Sequence, residues 1–197
     1  MAWKISWGIA FLVILAVAIG LFRGKANAQQ KPSTVFVPTP EGKEMSTYLG
    51  LRNLALTSSA AKAGQTSADP NDPLAVLMDQ PTGTRTATIA AYADGTASIY
   101  ISNGGGYLGG SQKYPAIHEA AVRMLAAARQ ARVKMQITTQ FPLPEQGEIT
   151  FYVVTDSGVY TARVPQEEFR KRTHPLTELY AASQEVITQY RLNFSKP

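Results

Sequence analysis

"TATIAAYADGTASIYISNGGGYLGG", residues 86–110, sets two runs of strand-forming residues on either side of Asp94-Gly95 and ends with five glycines in seven residues. Asp-Gly between two such runs predicts a β-hairpin closed by a two-residue type I′ turn, with both turn residues at positive φ. That geometric need accounts for the dipeptide and leaves Asp94 no catalytic task.

The glycines admit two readings. A glycine-rich loop ahead of a helix binds phosphate when its N–H groups converge on the anion and the helix dipole favours negative charge. Gly105 and Gly110 have the spacing of a Walker loop, but Ser111 and Gln112 stand where Lys and Ser/Thr belong. Gly104-Gly105-Gly106 followed by Gly109 imitates a dinucleotide fingerprint, yet that motif needs a parallel βαβ unit and an Asp-Gly hairpin is antiparallel. The favoured reading is conformational: the glycines let the chain leave a sheet edge and turn close to neighbouring backbone. The other reading keeps Asn103, Gly104, Gly105, Gly106, Tyr107, Leu108, Gly109 and Gly110 as a partner- or ligand-binding surface, because five flexible residues are entropically costly to order. Tyr107 and Leu108 are then its contact residues.

Downstream, residues 116–132 place Ile117, Ala120, Ala121, Met124, Leu125, Ala128 and Ala131 on one arc of a helix, opposite Glu119, Arg123, Arg129 and Gln130. "VKMQITTQF" reads as a strand, and "EITFYVVT" and "VYTARV" as a second hairpin about Asp156-Ser157-Gly158. Leu176, Leu179, Tyr180, Ser183, Val186, Ile187 and Tyr190 then recur at helical spacing. Upstream, "LAVLMD" is a short strand. "KEMSTYLGLRNLALTSSAAKAG" has helix-forming composition, with apolar residues on several faces and Gly50 weakening it. The order predicts one α+β domain over residues 43–197, an antiparallel sheet of about five strands flanked by helices.

This element order resembles roadblock, longin and profilin-like domains, in which a five-stranded antiparallel sheet lies between helices. The segments "DGTASIYISNGGGYLGG", "EITFYVVTDSGVYTARV" and "HPLTELYAASQEVITQYRL" are similar to a family of uncharacterised bacterial domains. No activity is carried over by that likeness, and the roadblock-like analogy implies scaffolding or dimerisation.

Residues 5–22 form an uncharged run of 18 residues, long enough to cross a bilayer core as a helix. Residues 1–28 are therefore a membrane anchor or a signal peptide. "ANA" before Gln29 resembles a cleavage site, but the run is longer than a usual signal core and Arg23 and Lys25 follow it, which favours an uncleaved anchor. Lys4 and the terminal amine oppose Arg23, Lys25 and Lys31, a bias toward a cytoplasmic domain. Cleavage after Ala28 gives a secreted or periplasmic domain instead. Residues 29–42 carry three prolines and read as an extended linker.

The chain has 197 residues, net charge +5 with its basic residues dispersed, and no cysteine. Dispersed charge argues against a nucleic-acid partner. Without cysteine there is no disulfide, thiolate nucleophile or thiolate metal site. The two histidines, His118 and His174, stand in no metal motif, and no nucleophile motif accompanies them, so solvated or capping roles are expected. The basic "FRKRTHP" reads as a solvated loop, or as a contact with anionic headgroups if the domain faces the cytoplasm. No catalytic residue, metal or cofactor is expected. The function expected is a membrane-tethered, non-catalytic protein-interaction or scaffolding module, self-associating or joined to a protein partner; the alternative is a small-ligand or nucleotide sensor built on residues 103–111.

Overall fold

A computed structural model describes residues 42–57 and 69–194. The anchor candidate 5–22, the linker up to residue 41 and the end of the first helical stretch lie outside these residues, and among the described helices none is long and apolar enough to cross a membrane. The elements are α1 (Lys43–Thr57), β1 (Ala75–Thr82), β2 (Arg85–Tyr92), β3 (Ala97–Ile101), β4 (Gly106–Leu108), α2 (Pro115–Ala131), β5 (Gln136–Thr138), β6 (Glu148–Thr155), β7 (Gly158–Pro165) and α3 (Thr177–Phe194). Short 3-10 turns occupy Arg132–Lys134 and Gln166–Lys171.

All pairings are antiparallel, in the order β4-β3-β2-β1-β6-β7-β5. The α+β class therefore holds, and the sheet has seven strands where about five were expected. Part of the excess comes from the glycine stretch, whose second half pairs with β3 as β4. At the opposite edge the expected strand 133–141 shortens to three residues, since Arg132–Lys134 winds into a 3-10 turn and carries the chain off the sheet. "LAVLMD" lengthens into β1 as far as Thr82. Pro81 fits there because the β1–β6 ladder stops at Asp79, so its missing N–H interrupts no pairing on that side.

The β2–β3 hairpin departs from the expected type I′ turn. Tyr92 N–H donates to Thr96 O at 2.8 Å, which leaves Ala93, Asp94 and Gly95 as a three-residue connection. Gly95 alone takes positive φ (77°), whereas Asp94 keeps an ordinary φ and its carboxylate accepts the Thr96 N–H at 2.8 Å. That hydrogen bond does locally what a second positive φ would have done, and it selects the longer loop.

Strand alternation sends residues to two layers. Val76, Met78, Ile89, Ile99, Phe151 and Val153 meet α2 and α3 on one face, and Leu77, Ala90, Tyr100, Tyr152 and Val154 meet α1 on the other. On the first face α2 contributes the arc read from sequence, with Leu125 partly buried beside it. Burying each such large side chain is worth about 1.5–3 kcal/mol relative to exposure.

Candidate functional site

The glycine stretch is a hairpin. Ile101 N–H donates to Gly105 O at 3.3 Å and Gly104 N–H to Ile101 O at 3.0 Å, after which Gly106, Tyr107 and Leu108 pair with Tyr100, Ile99 and Ser98. Gly109 N–H goes to Ala97 O at 3.1 Å, and Gly110 N–H to the Tyr190 hydroxyl at 3.1 Å. The N–H groups of Gly104, Gly109 and Gly110 are thus taken up inside the fold, and β4 separates the turn from the N-terminus of α2. Two positions show how closely the fold approaches these glycines. At Gly106, φ is 140° and a Cβ would lie 2.2 Å from Ile99 O; at Gly110, a Cβ would lie 3.0 Å from the Tyr190 ring. The first demands an unusual backbone, and the second demands empty space for a side chain of α3.

Tyr107 leaves the hairpin towards α3. Its half-buried ring stacks on Tyr190 at 5.2 Å between centroids and meets Phe194 at 4.9 Å, so it belongs to the margin of the core. Tyr190 anchors this cluster: its hydroxyl donates to Ala97 O at 2.6 Å and burial pushes its pKa up to about 12. Among the eight candidate residues, Asn103 and Leu108 are the exposed ones. His118 reaches back over the β2–β3 turn, where a Cβ on Gly95 would lie 2.1 Å from its ring, and His174 Nδ1 accepts the Leu176 N–H at 3.2 Å.

Between the hairpin and the start of α1 lies a cleft of about 240 Å³, walled by Glu44, Thr47 and Leu51 on one side and Tyr100, Gly105 and Leu108 on the other. Its lining holds one carboxylate and no lysine or arginine. A lining without a cationic side chain disfavours a phosphate.

Beneath α1 the structure assembles a buried polar network that sequence reading missed. Arg52 Nε and Nη2 donate to Asp79 Oδ2 at 2.9 and 2.6 Å, and both side chains are at most 1 % exposed. Thr88 Oγ1 donates to Asp79 Oδ1 at 2.5 Å, and since its one proton is spent there, Tyr48 donates to Thr88 at 2.8 Å. Arg52 Nη1 caps Phe141 O at 2.9 Å, and its guanidinium lies 5.1 Å from the centroid of the Tyr152 ring. Burial pushes the Asp79 carboxyl up, against the opposing pull of Arg52 and Thr88. Burial likewise pushes Tyr48 up to about 12, so its phenol stays a donor. The available signal was Asp79 itself, a carboxylate closing an otherwise apolar strand. Its partner lies 27 positions away and has no local signature.

Among the described residues no group of His, Cys, Asp and Glu is arranged to hold a metal ion. No protein-family model, curated protein or solved structure matches the chain.

Proposed function

We propose that the chain is a non-catalytic interaction module, tethered to a membrane through residues 5–22, that joins a protein partner or a second copy through an edge of its sheet. The observation that supports this reading most directly is at β5. There Ile137 is 65 % exposed on the outermost strand, and Val133, on the turn that leads into it, is 69 % exposed. Sheet edges are normally defended by charge or cover, and an apolar side chain presented beside unpaired backbone favours association. The roadblock-like element order points the same way by analogy alone.

Light scattering and cross-linking of the full chain in detergent micelles test this reading. Concentration-dependent association that Ile137→Lys abolishes is the expected result. A strict monomer at high protein concentration, with no partner retained through Ile137, overturns it. For the tether, carbonate washing of membranes should leave the chain in the pellet with its first residues intact; a released form beginning at Gln29 removes the anchor from the proposal.

The ligand-sensing alternative rests on the cleft beside α1. At about 240 Å³ it lies below the usual range of small-molecule sites, and a lining without lysine or arginine argues against a nucleotide. Thermal shift separates the readings: nucleotides should leave the melting temperature unchanged, and stabilisation by a nucleotide would favour sensing.

A further inference from the structure

β7 is paired far more completely on one side than on the other. Its whole length, Gly158–Pro165, is matched to β6, whereas β5 covers only Val159, Tyr160 and Thr161. Beyond Thr161 the chain that would have continued β5 is wound into the Arg132–Lys134 turn, and Met135 N–H is already committed to Arg132 O at 2.9 Å. Antiparallel pairing alternates inward and outward backbone groups along a strand. Gln166 N–H donates to Gly147 O at 2.7 Å, so every second residue back from it, Val164 and Ala162, turns its backbone to β6. Arg163 therefore turns its N–H and C=O away from β6, to the open side, where no described strand pairs with them.

An open slot of about 530 Å³ borders this segment, and its lining includes Lys134, Gln136, Thr161, Arg163 and His174. No aspartate or glutamate lines it. Arg163 is tied only loosely to Glu148, at 3.7 Å, with more than a third of its side chain exposed. The slot thus borders backbone that no described strand pairs, and its lining carries the cations Lys134 and Arg163.

We infer that this slot takes an extended acidic segment of a partner protein, which pairs with Arg163 in line with β5 and sets its carboxylates against Lys134 and Arg163. Strand addition supplies affinity through the main chain and selectivity through alternate side chains. A second copy of this chain fits less well, because a two-fold contact here would bring Lys134 and Arg163 of both copies together. The inference rests on the sheet-edge reading above and specifies which part of the edge is used and by what.

The test uses the full chain in detergent micelles with a fluorescein-labelled peptide of alternating valine and glutamate, beside its valine–lysine counterpart. The acidic peptide should bind and the basic one should not. Lys134→Glu and Arg163→Glu, each on a solvent-exposed side chain and checked for folding by circular dichroism, should each weaken binding about tenfold. The Arg163 amide should become protected from hydrogen exchange only with the acidic peptide present. Equal binding of both peptides, or binding indifferent to both charge reversals, overturns the assignment. If Ile137→Lys abolishes association while Lys134→Glu leaves it intact and no peptide binds, the slot fails and the sheet-edge reading stands. Loss of self-association in Lys134→Glu without peptide binding assigns the slot to a second copy, which also overturns the acidic partner. Absence of both association and peptide binding removes both readings.

Discussion

The two faces of the sheet are covered by different physics. Under α2 and α3 the contacts are apolar side chains from helix and strand, with the Tyr190 hydroxyl satisfied at its edge. Under α1 the centre of the interface is an ion pair, Arg52 with Asp79, surrounded by Tyr48, Thr88 and Tyr152. Apolar burial is roughly additive and tolerates imperfect partners, whereas a buried charge depends wholly on one partner. The first face is therefore held by many replaceable contacts, and the second adds to its apolar contacts one that is not replaceable. What α1 receives in exchange is a defined seat. Tyr48, Arg52, Ala55 and Leu56 form its buried stripe, while the equally apolar Met45 and Leu54 stay exposed.

The largest test of this contrast is Asp79→Ala, which strands the Arg52 guanidinium and should cost about 3–5 kcal/mol in urea unfolding. Replacing the pair together, Arg52→Met with Asp79→Leu, should recover most of that loss, since an apolar pair of similar volume is often neutral or stabilising by about 1–4 kcal/mol. If the single variant loses less than about 1 kcal/mol, the ion pair is not what seats α1.

Next in size is Gly106→Ala. A Cβ 2.2 Å from Ile99 O forces the hairpin to shift, and with positive φ the cost should be about 1–3 kcal/mol. At Gly105, where φ is 84°, the added Cβ should cost nearer 1 kcal/mol. Equal effects at both positions would mean that backbone conformation alone, and not the Ile99 contact, limits the hairpin.

Tyr107→Ala should lose about 1–2 kcal/mol, from a half-buried ring and its stack on Tyr190. A neutral result, joined to loss of a partner, would return Tyr107 to the recognition surface expected of an exposed ring.

The smallest effect is a pH dependence. A carboxyl whose folded pKa is raised binds protons more tightly in the native state, so it stabilises the fold below the unfolded pKa, and that contribution is lost as pH rises through the folded value. With Asp79 raised by burial, the stability difference between wild type and Asp79→Asn should fall as pH rises from acid. A difference that grows with pH would show that Arg52 outweighs burial and that the pair, once formed, favours the charged state.

Local chemistry determined much of this protein. The periodicity of residues 116–132 and 176–190 fixed two helices and their buried faces, and alternating runs about Asp94-Gly95 and Asp156-Ser157-Gly158 fixed two hairpins, because those signals depend on neighbours within a few positions. The candidate loop was located in the same way, and its glycines build a hairpin with several positions at positive φ. Only the tertiary structure decided the rest. Gly110 meets Tyr190, 80 positions away, and Arg52 on the buried face of α1 meets Asp79, 27 positions away. The open stretch of β7 exists because a turn in another segment ends β5 early. Each is a contact between residues distant in the chain, where the physical cause at one position lies in a partner that no local pattern encodes.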